Sequence, residues 1–136
     1  MAVIINGKEV SASIRQKLKE ETAQFIAENG YAPGLAVIIV GEDPASQVYV
    51  NNKHKACLEV GFVSEVYRLP AETTMSELLA LVDKLNADEK IHGILCQLPL
   101  PKHLNEEEVI LRINPDKDVD AFHPINTGKI MIGNNN

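Results

Sequence analysis

Ser46, Tyr49 and Lys53 occur at i, i+3 and i+7 within "GEDPASQVYVNNKHKAC", a spacing that puts three polar side chains along one face of an α-helix. Ala45, Val48, Asn52 and Ala56 then point elsewhere and are expected to supply the packing. A lysine one turn from a tyrosine, near a sheet edge, can be partly desolvated. Desolvation favours the neutral amine, which is useful for proton transfer. The tyrosine ring offers a flat surface on which a ligand can stack. A solvated helix face that happens to carry a tyrosine has the same spacing, and spacing alone favours that plainer reading.

Tyr-x-x-x-Lys is also the signature of short-chain dehydrogenases. Those enzymes need a Gly-rich dinucleotide turn near the amino terminus and a much longer chain. No Gly-x-Gly-x-x-Gly is present, and Tyr49 comes too early, so this alternative is rejected.

A second group lies in "CQLPLP", residues 96–101, where an apolar run ends in an amide and two prolines. Gln97 can offer a ligand both a donor and an acceptor, and the prolines make a rigid rim. An ordinary strand terminator explains the prolines but not the amide. "DKDVD" places Asp116, Asp118 and Asp120 at alternate positions, like the start of a calcium loop. That template wants Gly at its sixth position and Glu at its twelfth, where this chain has Ala121 and Thr127, so a metal is not expected. His54, His92, His103 and His123 have no metal-ligand spacing and are given structural or surface roles. Cys57 and Cys96 lack a sequence-adjacent base and read as buried thiols.

The elements that must position these groups alternate. "AVII" reads as a short strand, and Ile14, Leu18, Phe25 and Ile26 recur at helical spacing between Ser11 and Asn29, ahead of Gly30. "LAVIIV" (35–40) is continuously apolar, as a strand covered on both faces should be. Asp43 offers an N-cap and Pro44 a first helical position for a helix that stops at Gly61. Strands over 62–69 and 91–98 follow, with helices over 73–86 and 104–113. The acidic first turn of the last helix suits its dipole. An acidic loop and a short apolar piece, "GKIMIG", close the chain, and its end is expected to fray. This alternation predicts a three-layer α/β domain with a mainly parallel sheet covered by helices on both faces. Ligands in such sheets sit beyond the carboxyl ends of the strands, where both candidate groups fall.

The 136 residues suit one domain, and 45% apolar content suits a sizeable core. With 4% aromatics and no Trp, that core must be aliphatic. A net charge of −6 without a basic cluster argues against a nucleic-acid partner. The longest apolar run is too short for a bilayer span, and the amino terminus lacks the apolar region of a signal peptide. Two distant cysteines suit a reducing compartment, and the cytoplasm is the expected location.

"VGEDPASQVYVNNKHKAC", "LNADEKIHGILCQLPLP" and "PDKDVDAFHPIN", in this order, closely resemble the amino-terminal domain of the bifunctional methylenetetrahydrofolate dehydrogenase/methenyltetrahydrofolate cyclohydrolase family. The likeness covers essentially the whole chain. It implies an α/β domain, residues 1–136, that faces an NADP-binding Rossmann domain across a cleft. By this resemblance Lys53 is the catalytic lysine, Tyr49 packs on the aromatic part of the folate, and Gln97 hydrogen-bonds the lysine and helps set its protonation state. Asp120 binds the pterin ring, Ser46 is supportive, and Cys96 and Leu98 flank Gln97 in the substrate-binding segment. Two departures stand out: Ala121 replaces the usual Gly after "DVD", and Cys96 replaces a more usual aliphatic residue.

The implied activity interconverts 5,10-methylene-, 5,10-methenyl- and 10-formyl-tetrahydrofolate. NADP would be the cofactor of the full-length enzyme, with its Gly-rich site absent from these residues, and no metal is implied. Tetrahydrofolate derivatives are the expected ligands, with no membrane partner. A homodimer is expected for the full-length enzyme and a monomer for this chain. The alternative is a folate-binding half-site without turnover in isolation. A third class, a flavodoxin-like interaction domain, would be indifferent to folate.

Overall fold

The computed structural model describes residues 7–118, with side chains from residue 12 onward. The expected strand at residues 2–5 and the apolar piece at 128–133 lie outside the described residues. Helix α1 spans Gly7–Asn29, β1 Gly34–Val40, α2 Pro44–Val60, β2 Val63–Leu69, α3 Met75–Ala87, β3 Gly93–Cys96 and α4 Glu106–Arg112, before a short 3₁₀ turn at Pro115–Lys117.

The strands form a parallel sheet in the order β2-β1-β3. β1 is central and is covered on both faces along nearly its whole length. Ala36, Ile38 and Val40 pack under Leu78, Val82 and Leu85 of α3 and Val109 of α4. Val37 and Ile39 face the other way, against Val50 of α2. Two apolar faces on one strand require two helical layers, and the expected three-layer architecture follows.

Helix α2 begins and ends where its sequence dictates. The Asp43 side chain accepts the Ser46 N–H at 2.9 Å, Pro44 occupies the first turn, and Gly61 closes the helix with φ +92°. Helix α3 carries a capping box, Thr74 with Glu77. β3 is shorter than the 91–98 expected, but ladder-type bonds continue past both ends: His92 N–H to the Gly34 carbonyl and Gln97 N–H to the Ile38 carbonyl, each 2.8 Å. Beyond Gln97 two prolines supply no N–H, so pairing stops.

Two sequence expectations need correction. Ile14 and Leu18 are 55% and 40% exposed, so only the later part of the α1 stripe, Phe25 and Ile26, is half-buried. On α2 the packing comes from Ser46, Val50 and Val60, whereas Ala45, Val48 and Asn52 are exposed and Ala56 is only half-buried. None of the described helices is long and apolar enough to cross a membrane.

Candidate functional site

The register of the sheet brings the two candidate groups together. α2 leaves the carboxyl end of β1, and Gln97 ends the run of β3 beside it. Lys53 Nζ donates to Gln97 Oε1 at 3.0 Å. A lysine ammonium only donates, so the amide must turn its oxygen toward Lys53. Its Nε2 then donates to the Leu98 carbonyl at 3.1 Å. Both ends of the amide are thereby assigned, and its orientation is fixed.

The predicted stripe runs from inside to outside instead of lying on one surface. Ser46 is buried and serves the cap, with its N–H and hydroxyl both directed at Asp43. These two bonds hold the Asp43 carboxyl below its usual range. Lys53 is half-buried, and Tyr49 is 59% exposed. A ligand could therefore rest on the Tyr49 ring and reach inward to Lys53 and Gln97. Cys96 is buried in the core, and Leu98 is half-buried, packed partly against that core.

A surface cavity of about 590 Å³ opens at the same sheet edge, on the β2 side, lined by Gly41, Gln47, Arg68 and Glu72 among others. Tyr49, Lys53 and Gln97 are not part of it. They form one open wall.

The remaining candidates have structural partners. His54 Nδ1 is 2.8 Å from Ser64 Oγ. His92 Nδ1 accepts the Gly34 N–H at 2.9 Å, and its ring stacks on Tyr31. His103 Nε2 donates to the Thr73 carbonyl at 2.8 Å, because a carbonyl can only accept. Cys57 is half-buried, and burial pushes its thiol pKa up. Among the described residues no group of three His, Cys, Asp or Glu side chains is placed to hold a metal ion. Asp120, Ala121 and His123 lie outside the described residues.

Two further residues make tertiary bonds that their local sequence does not announce. Lys117, in the acidic loop, donates to the carbonyls of Leu85, Asn86 and Asp88 at 2.8–3.0 Å. Its loop also touches β3, through a parallel bridge between Asp118 and Ile94. Glu106, in the first turn of α4, accepts the Leu100 N–H at 2.7 Å.

Comparison with known proteins gives a consistent result. The profile of the family described as "Tetrahydrofolate dehydrogenase/cyclohydrolase, catalytic domain" matches residues 5–120. The chain is 61% identical over 132 residues to a bifunctional protein FolD of Dichelobacter nodosus, covering 97% of this chain and 45% of the relative. It is 59% identical over 133 residues to that of Geotalea daltonii, covering 98% and 47%. Among solved structures, the bifunctional FolD dehydrogenase/cyclohydrolase of Campylobacter jejuni superposes with a TM-score of 0.89 at 50% identity, over 93% of this chain and 45% of that one. The Trypanosoma brucei enzyme, complexed with NADP cofactor and inhibitor, superposes at 0.93 with 39% identity, over 99% and 46%. The chain thus spans about half the length of the curated relatives it matches.

Proposed function

The chain belongs to the tetrahydrofolate dehydrogenase/cyclohydrolase family, whose catalytic-domain profile it matches over most of its length, and on that premise we propose that the Tyr49–Lys53–Gln97 wall binds a tetrahydrofolate derivative and serves its interconversion. The observation that carries this reading is the Lys53–Gln97 hydrogen bond at the carboxyl end of the sheet. In the cyclohydrolase step, water adds to the cationic methenyl carbon of 5,10-methenyltetrahydrofolate, and the ring then opens to 10-formyltetrahydrofolate. Lys53 would move protons at that carbon, and Gln97 would hold the amine toward it. Tyr49 would stack on the aromatic part of the ligand. General acid–base help of this kind is worth roughly 10²–10⁴-fold. Asp120, expected to bind the pterin ring, would complete the site from outside the described residues, and Ser46 would act only through the helix cap.

NADP, in this reading, belongs to the full-length enzyme. The described residues do not fit a dinucleotide phosphate: the turn from β1 into α2 holds one glycine, and the N-terminus of α2 is already occupied by the Asp43 carboxylate. Localisation in the cytoplasm and a homodimeric full-length enzyme are part of the same proposal.

The test is the decay of 5,10-methenyltetrahydrofolate in the presence of this chain and of Lys53→Ala. A rate above buffer that vanishes in the variant assigns cyclohydrolase chemistry to Lys53. Background rates in both, together with folate-induced thermal stabilisation, would make the chain a half-site without turnover. Background rates with no stabilisation would overturn folate binding by this chain.

A further inference from the structure

The segment that presents Gln97 is unusually short of backbone donors. Pro99 and Pro101 have no N–H, and between them stands Leu100, buried in the core. Its N–H cannot join the sheet, because the ladder ends with Gln97 N–H on the Ile38 carbonyl. Nor does a turn take it. It donates instead to Glu106 Oε2 at 2.7 Å, across six residues, to a half-buried carboxylate. A bond to an ionised acceptor is short and strong compared with a neutral one.

We infer that Glu106 is a positioning residue for the Lys53–Gln97 pair, acting through Leu100 and Leu98. The path is continuous. Glu106 fixes the Leu100 N–H, and with it the path of the proline-flanked segment. That segment sets where the Leu98 carbonyl points. The Leu98 carbonyl accepts Gln97 Nε2, which turns Gln97 Oε1 toward Lys53 Nζ. The remaining ties on the loop are more distant: Leu104 N–H to the Pro101 carbonyl, and His103 to the Thr73 carbonyl. The catalytic relevance of this path rests on the function proposed above, but the path itself can be tested without folate.

The experiment follows the side-chain amine resonance of Lys53 by NMR in the 136-residue chain, at one fixed pH. Gln97→Ala removes the acceptor directly and calibrates the shift. Glu106→Ala should move the Lys53 resonance in the same direction and by a comparable amount. Glu106→Gln keeps an oxygen that can accept the Leu100 N–H, and should leave the resonance near its wild-type position. In the Gln97→Ala background, Glu106→Ala should add no further shift, because residues acting through one contact are not additive. A Lys53 resonance unmoved by Glu106→Ala, or a shift that persists undiminished without Gln97, would overturn the inference. If Glu106→Ala does not fold, Glu106→Asp withdraws the carboxylate by one methylene and must produce the same displacement. Addition of a tetrahydrofolate to the wild-type chain tests the proposed function separately, since a failure to bind leaves the Glu106 result standing.

Discussion

Lys53 and Gln97 meet across 3.0 Å although one sits on α2 and the other just past the end of β3, with β2 and α3 between them in the chain. The contact exists because a parallel sheet sends every strand out at the same edge. Replacing Gln97 by Glu would put an anion where a neutral acceptor stands, and an opposite charge favours the protonated lysine. If Lys53 carries protons during hydrolysis, Gln97→Glu should keep the contact yet slow the decay of methenyltetrahydrofolate. Lys53→Ala should cost the larger share, roughly 10²–10⁴-fold. Steady-state rates of both variants beside wild type decide the matter, and a Gln97→Glu rate equal to wild type would remove Lys53 from proton transfer.

Asp43 caps the helix that carries Lys53. Asn caps about as well as Asp, whereas Ala cannot accept the Ser46 N–H. Thermal melts should therefore rank wild type close to Asp43→Asn and clearly above Asp43→Ala. Because the folded-state pKa of Asp43 is depressed, the stability it adds is present above its unfolded value of 3.8 and is lost as pH falls through the folded value. The gap between wild type and Asp43→Ala should accordingly narrow below that pH. A gap that is constant down to strong acid would mean that the carboxylate is not the cap.

Tyr67 donates to Glu65 Oε2 at 2.6 Å, and that bond, with some burial and the nearby charge, pushes its pKa up to about 12. The sequence holds three tyrosines, so an ultraviolet titration should show one phenol ionising well above the usual value of 10.0. Glu65→Gln should bring it down. The sign for stability is the reverse of the Asp43 case: this contribution is complete below the unfolded pKa and disappears as pH rises through the folded one. Three phenols titrating together would contradict the contact.

Lys117 uses all three ammonium donors on carbonyls at the end of α3. The cation also complements the dipole at a helix C-terminus. Lys117→Met keeps the aliphatic stem and removes only the charge and the donors. It should lower the unfolding free energy by about 1.5–3 kcal/mol, the usual worth of hydrogen bonds to a charged group. Urea titration of the two proteins measures it, and coincident curves would show that water replaces the lysine at no cost.

The parts of this molecule legible in its sequence are those governed by neighbours along the chain. Asp43, Pro44 and Gly61 bound α2 because capping is a local geometry, and the uninterrupted apolar run of β1 announces a strand buried on both sides. The pairing of Lys53 with Gln97 was legible only through the family resemblance, since nothing local joins two residues so far apart. In the sequence Glu106 has the look of a dipole-compensating acid and Lys117 that of a residue in an acidic loop. Their partners are backbone groups of other segments, which leave no mark on side-chain patterning. The packing face of α2 does not follow apolar character alone, since polar Ser46 is buried and Val48 is exposed. Near a helix N-terminus the cap decides instead: it draws Ser46 inward and leaves Val48 in solvent.

The central position of β1 also bears on the order in which the chain can assemble. Both ladders of β1 are parallel, so neither can begin as a tight hairpin, and each requires the ends of a long crossover to meet. The β1–β2 ladder closes across α2 alone, whereas the β1–β3 ladder must enclose α2, β2 and α3. Loop-closure entropy makes the first the easier encounter and the second the later reward. Gln97 arrives with β3, so Lys53 acquires its partner only when the longer of the two ladder closures is made. Formation of that hydrogen bond is therefore a kinetic marker for closure of the β1–β3 ladder.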